Sequence, residues 1–167
     1  VKFPFTAALL VAPALLALSS CGIPATGVVE AGGPASGITP VTSVYFVQNG
    51  TLVAVPRTTA FPGDAAAALE LLIGGPTFDE ARKRLGTAMP RPRAPAAPPT
   101  VTGRGDALLV KLPPGMGPLA DLATRQVICT AAAARHLTDE SAATVTIEVT
   151  DSRGRRVRGT DEGCPGR

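Results

Sequence analysis

The chain of 167 residues contains no tryptophan, a single tyrosine and a single histidine, and each scarcity narrows what it can do. With Tyr45 as the lone polar aromatic, stacking platforms for sugars or bases are poorly supplied. With His136 alone, a histidine-based nucleophile–base pair has one place to form. That place is late in a predicted helix, where a surface position beside the helix C-terminus is the plain reading. Cysteine is limited to Cys21, Cys129 and Cys164, and lysine is nearly missing, arginine outnumbering it 13 to 3. The arginine, alanine, glycine and proline excess is what GC-rich codons produce. A net charge of +3 spread along the chain is too diffuse for nucleic-acid binding, which needs a clustered basic face. No nucleic-acid partner is expected.

What is there begins at the N-terminus. A lone Lys2 precedes an apolar run from Phe3 to Leu18, and Leu18-Ser19-Ser20-Cys21 closes it. A basic start, an apolar core and small residues before a cut are the parts of a secretory signal peptide. A cysteine at the cut resembles the bacterial lipobox, in which the thiol of Cys21 is acylated and becomes the new N-terminus. The run is too short to span a bilayer, which takes about 20 apolar residues. Pro4 and Pro13 also argue against a buried helix. A signal cleaved without lipidation fits the same residues. The lipobox reading predicts a protein on the extracytoplasmic face of the cell membrane, held by lipid on Cys21, since two acyl chains anchor stably where one does not.

Removal of residues 1–20 leaves roughly 150 residues, enough for one domain and a tail. Residues 21–43 are rich in Gly, Pro, Ser and Thr without periodicity and read as a flexible tether with a reach of roughly 25 Å. The domain is expected over 44–160, with 161–167 as a C-terminal tail. With Cys21 lipidated, Cys129 and Cys164 remain as an even pair suited to an oxidising compartment. A disulfide between them would pin the tail to the long helix. Two free thiols and a metal site with His136 are the alternatives, the last lacking a fourth ligand.

Val44–Gln48 and Thr51–Val55 are β-rich runs around Asn49-Gly50, the strongest short hairpin signal. Asp64 opens a helix over Ala65–Ile73 that Gly74-Gly75-Pro76 stops. Thr77 to Glu80 matches a capping box, and the short helix it opens is expected to run to Leu85 with Gly86 as its C-terminal glycine. Residues 88–100, with proline at 90, 92, 95, 98 and 99, read as an extended polyproline loop. Ala107–Leu112 reads as a strand, about Gly117 to Leu137 as the longest helix, and Ala143–Thr150 as a strand with Val145, Ile147 and Val149 on its buried face. Arg153 to Arg158 follows as a turn and a basic strand or tail. The expected fold class is α+β: a single two-layer domain with one small mixed or antiparallel sheet and helices packed on one face.

Val44-Tyr45-Phe46-Val47, Leu69 to Thr77 (LELLIGGPT), Glu80-Ala81 and Leu85-Gly86-Thr87-Ala88-Met89-Pro90 together resemble the GerMN domain family of sporulation and actinobacterial envelope lipoproteins. The resemblance covers residues 44–158 and is most specific in the Leu-Leu-x-Gly-x-Pro-Thr segment with a proline some fourteen residues later. The proline-rich run departs from the family, which enters a strand there, and displaces that strand to Thr100–Thr102. The resemblance implies a protein-contact or assembly role in the cell envelope, with an envelope protein as partner, in a sporulation or cell-wall setting. It brings no catalytic, cofactor or metal residues.

The remaining motifs have plain readings. The carboxylate pairs Asp79-Glu80, Asp139-Glu140 and Asp161-Glu162 fall at helix starts or turns, where caps and solvation account for them. Arg104-Gly105-Asp106 reads as a tight polar turn. The glycines lack the spacing of a nucleotide loop. Arg153, Arg155, Arg156 and Arg158 form the one charge cluster, read either as a solvated tail or as a contact with anionic lipid headgroups. A non-enzymatic, lipid-tethered binding protein is the leading expectation. An envelope enzyme or small-ligand receptor acting on cell-wall material is the competing one, which a concave polar pocket would favour.

Overall fold

The computed structural model describes residues 41–92 and 97–166. The signal-like run, Cys21 and the tether before residue 41 lie outside the described residues, as do residues 93–96 of the proline-rich stretch.

The Asn49-Gly50 pair makes the turn it predicts, with φ of 51° and 79°, and joins β1 (Val41–Gln48) to β2 (Thr51–Thr58) in an antiparallel hairpin. Both strands run three residues further from the turn than their β-rich cores suggest, and Pro56 stays within β2 on its unpaired edge. Asp64 caps α1 (Ala65–Gly74) by accepting from the Ala66 and Ala67 amides, so it acts as the N-cap and not as a first-turn charge. The Thr77 to Glu80 capping box opens α2 (Phe78–Arg82) as expected. This helix stops short of Leu85 because Arg84 takes the left-handed conformation, with φ of 64°. Gly86 is therefore free for another task. It exchanges backbone hydrogen bonds of 2.8 Å with Val47, extending the outer edge of β1 by one bridge.

The second sheet contains β3 (Thr100–Arg104), β4 (Ala107–Lys111), β5 (Thr146–Thr150) and β6 (Arg156–Thr160), in that order across the sheet. β4 and β5 are parallel and the other pairs antiparallel. Between β4 and β5 runs α3 (Asp121–Thr138). It begins four residues later than its apolar pattern suggests, with Ala120 as an extended N-cap that makes no side-chain hydrogen bond.

The fold class is α+β. Two sheets replace the expected single one, for the hairpin does not join the four-stranded sheet. The reason is chemical. The outer edge of β1 at Tyr45 is satisfied by α3, not by another strand. Thr130 Oγ1 accepts from the Tyr45 amide at 3.1 Å, and Gln126 Nε2 donates to the Tyr45 carbonyl at 2.8 Å. One helical turn separates the two side chains, so both reach the same peptide edge.

Val44 and Phe46 point into the main core against Leu69 and Leu72 of α1, Val127 and Ala131 of α3, and Leu108, Val110, Ile147 and Val149 of the second sheet. Each large side chain buried there contributes about 1.5–3 kcal/mol. Tyr45 and Leu52, on the opposite face of the hairpin, pack with Cys129 in a smaller cluster. The alanines of α3 allow it to lie close to both sheets. Gly159 permits a close approach of β6 to α3, since a Cβ there would sit 2.7 Å from Ile128 Cδ1.

Candidate functional site

Cys129 and Cys164 stand at disulfide distance, their Cα atoms 5.6 Å apart. The residues after β6 are consequently not a loose tail. Asp161 to Gly163 form a single 3₁₀ turn, and Tyr45 Oη donates to the Pro165 carbonyl at 2.9 Å while Arg125 holds the Gly163 carbonyl at 2.8 Å. Burial, and then the Asp161 charge, raise the Tyr45 hydroxyl above its ordinary pKa, so it keeps the proton it donates.

His136 is not a simple surface residue. The return of β6 brings Asp161 beside it, with Nε2 2.6 Å from Oδ2, while Asp161 Oδ1 accepts from the Val145 amide at 3.0 Å. Asp161 is buried and His136 partly so. Around this pair lies a cavity of about 420 Å³, with Ser43, Tyr45, Ala133, Ala143 and the Cys129–Cys164 pair in its wall. Its lining is largely small and apolar. The polar groups in it serve chiefly to tie α3, β5 and the C-terminal turn together. Nothing links the Ser43 hydroxyl to His136 through a hydrogen bond, so the three side-chain types of a hydrolytic triad share a wall without forming a relay.

The pairs Asp79-Glu80 and Asp139-Glu140 lie where their plain readings put them, whereas Asp161 is buried against His136 and is accounted for neither by a cap nor by solvation. Glu80 closes the capping box and accepts from Arg57, whose Nε stands 2.9 Å away and whose guanidinium also reaches the Gly75 carbonyl and lies over the Phe46 ring. Burial works against the Glu80 carboxylate, but the Thr77 amide and the Arg57 guanidinium hold its pKa below the ordinary value. Asp139 caps the end of α3, with its pKa lowered by the Ser141 hydroxyl and by Arg135. Arg104-Gly105-Asp106 forms the β3–β4 turn, with φ of 61° at Gly105.

The arginine cluster divides. Asp151, almost fully buried, accepts from the Arg153 and Arg155 amides and shapes the β5–β6 turn. Arg155 then donates to the Leu119 carbonyl at 3.1 Å and is tied to the body of the domain. Arg156 and Arg158 alternate along β6 and are exposed. Their face of the sheet is opposite the one that Leu108, Val110, Ile147 and Val149 turn to the core. The cross-strand rows on that open face read Thr100–Lys111–Thr150–Arg156, Thr102–Leu109–Glu148–Arg158 and Arg104–Ala107–Thr146–Thr160. Arg104 and Lys111 thereby join Arg156 and Arg158 in one surface. Sequence reasoning left those two out because they are separated from the cluster by about forty residues; strict alternation along β4 was the signal that could have placed Lys111.

Comparison of the chain with protein-family models, with curated proteins and with solved structures finds no match in any of the three. Among the described residues no helix is long and apolar enough to cross a membrane, and no group of three or more His, Cys, Asp or Glu side chains gathers to hold a metal ion.

Proposed function

We propose that this chain is an extracytoplasmic module, tethered to the cell membrane by lipid on Cys21, that holds another envelope protein in an assembly and does not transform a substrate. The observation that carries the reading is the edge of the second sheet at β3. Among the described residues this strand pairs with β4 alone, its residues Thr100, Thr102, Gly103 and Arg104 are exposed, and charge enters only at its end. An unpaired edge offers a row of backbone donors and acceptors for strand addition by a partner. The other edges are guarded, β6 by Arg156 and Arg158 and β2 by Pro56. The Cys129–Cys164 pair suits an oxidising compartment, and the likeness to GerMN domains supports a sporulation or cell-wall setting.

A photo-crosslinking residue placed at Gly103, which is exposed, has room for a side chain and faces away from the basic surface of the sheet, tests the partner in living cells. A discrete protein adduct from Gly103, and none from Thr51 on the hairpin, is expected. Adducts of equal yield from both positions, or none from Gly103, would contradict the reading.

The cavity beside His136 favours a second reading, a small-ligand receptor, because about 420 Å³ is within the range of small-molecule sites. A fragment screen by NMR decides it. The receptor reading requires shift changes confined to Tyr45, His136 and Ala143, and their absence across the screen removes it.

A further inference from the structure

Arg104 ends β3, Lys111 ends β4, and Arg156 and Arg158 alternate on β6. Strand register carries all four to the face of the second sheet opposite the core, which none of the described helices covers. Against them on this face stands Glu148, which Arg156 approaches only to 3.8 Å while remaining mostly exposed. Most of the other positions there are threonine, and Leu109 is the one large apolar side chain.

We infer that this face docks flat on a bilayer containing anionic phospholipids, its four cations meeting the headgroup phosphates. The shape is one argument. Four strands at about 4.8 Å spacing and five residues of length make a patch about 15 Å by 17 Å, which meets a surface and does not enter a groove. The chemistry is another. Protein interfaces centre on aromatic and apolar anchors inside a polar rim, and single-stranded nucleic acid is gripped by aromatic stacking. On this face Leu109 and Glu148 stand in the middle and the four cations surround them at the strand ends and along β6, with threonines between and no aromatic anchor. It is the charges and hydroxyls around the middle that complement phosphate oxygens. Proximity is the third. If lipid attaches at Cys21, twenty residues before the start of β1, it keeps the face at high effective concentration near the headgroups, so a weak attraction is enough to orient the domain. Only this third argument rests on the lipid-anchored reading. With β6 and Arg104 turned toward the membrane, the β3 edge would be presented beside the bilayer to a partner in the same layer.

The test uses the full chain carrying Cys21→Ala, so that lipidation does not enter the comparison. Binding to vesicles of phosphatidylcholine alone is compared with binding to vesicles in which about a third is phosphatidylglycerol. Three net positive charges at roughly a fivefold gain each predict a preference for the anionic vesicles on the order of a hundredfold at low salt. That preference should collapse at about 0.5 M salt, where screening acts within a few ångströms. Replacing Arg104, Lys111, Arg156 and Arg158 with Gln should reduce it to about fivefold or less. A control with the same charge loss, Arg82, Lys83, Arg91 and Arg153 to Gln, should keep most of it. Any attraction from residues 1–20 is common to all three proteins and cancels. Equal binding to both vesicle types by the parent, equal losses in face variant and control, or binding to soluble polyphosphate without binding to anionic vesicles would each overturn the inference. A failure of lipid attachment at Cys21 would leave these outcomes unchanged.

Discussion

Gln126 is the side chain on which the joint between the two sheets turns. It is fully buried, donates to the Tyr45 carbonyl and accepts from the Ala88 amide at 2.7 Å, so it joins β1, α3 and the segment after Gly86. A Gln126→Leu variant roughly keeps the volume and leaves the buried Tyr45 carbonyl and the partly buried Ala88 amide without this partner, each costing about 1–3 kcal/mol. Urea denaturation should show a loss of about 3 kcal/mol; a loss below about 1 kcal/mol would mean that the joint is held by packing alone. Glu80 carries a pH signature. Its folded pKa is below the ordinary 4.5, so its bonds to Thr77 and Arg57 stabilise fully above that value and are lost as pH falls through the depressed one. Glu80→Gln should cost about 1–2 kcal/mol at pH 7. It should also lose less stability than the parent between about pH 5 and 3, and parallel acid curves for the two proteins would count against this pairing.

α3 is the element that unites the fold, and it shows what a sequence does and does not reveal. Its apolar stripe of Ala123, Val127, Ala131 and Ala134 was legible because burial at helical spacing leaves a pattern. The Asn49-Gly50 hairpin and the capping box were legible for a similar reason: each depends on a few adjacent residues. Gln126 and Thr130 were not, since a polar side chain among apolar ones reads as a surface position until a strand edge is brought to it. β6 was half legible, since residues 153–158 read as a turn followed by a basic strand or tail and the strand runs Arg156–Thr160. Arg156-Val157-Arg158-Gly159-Thr160 has weak strand propensity, and it is the pairing with β5 and the seating of Ile128 on Gly159 that make it a strand. The same return places Asp161 against His136, a contact over 25 residues that no local pattern announces. Cys129 and Cys164 fasten this return to α3 across 35 residues, for which loop closure gives about 3–4 kcal/mol. Cys129→Ala should lower stability by about that amount and loosen the C-terminal turn. If the parent shows two free thiols by intact mass without reductant, the bridge is excluded.

At the scale of the whole molecule, the proposals give separate tasks to separate surfaces: attachment to lipid on Cys21, orientation to the open basic face of the second sheet, and contact with a partner to the β3 edge. The cavity at His136 lies between α3 and the C-terminal turn and has its polar groups largely engaged with one another. Charge on the open face could not be read from one sequence window, because four strands contribute to it. The general class, α+β, could be read, because it follows from the alternation of short β-rich and helical segments. Proximity to the membrane depends on the proposed lipid at Cys21. Mass spectrometry of the N-terminal peptide from the membrane-extracted protein reads that attachment out. The expected result is a chain beginning at Cys21 and carrying a thioether-linked diacylglycerol. An N-terminus elsewhere, or an unmodified Cys21 thiol, would contradict it.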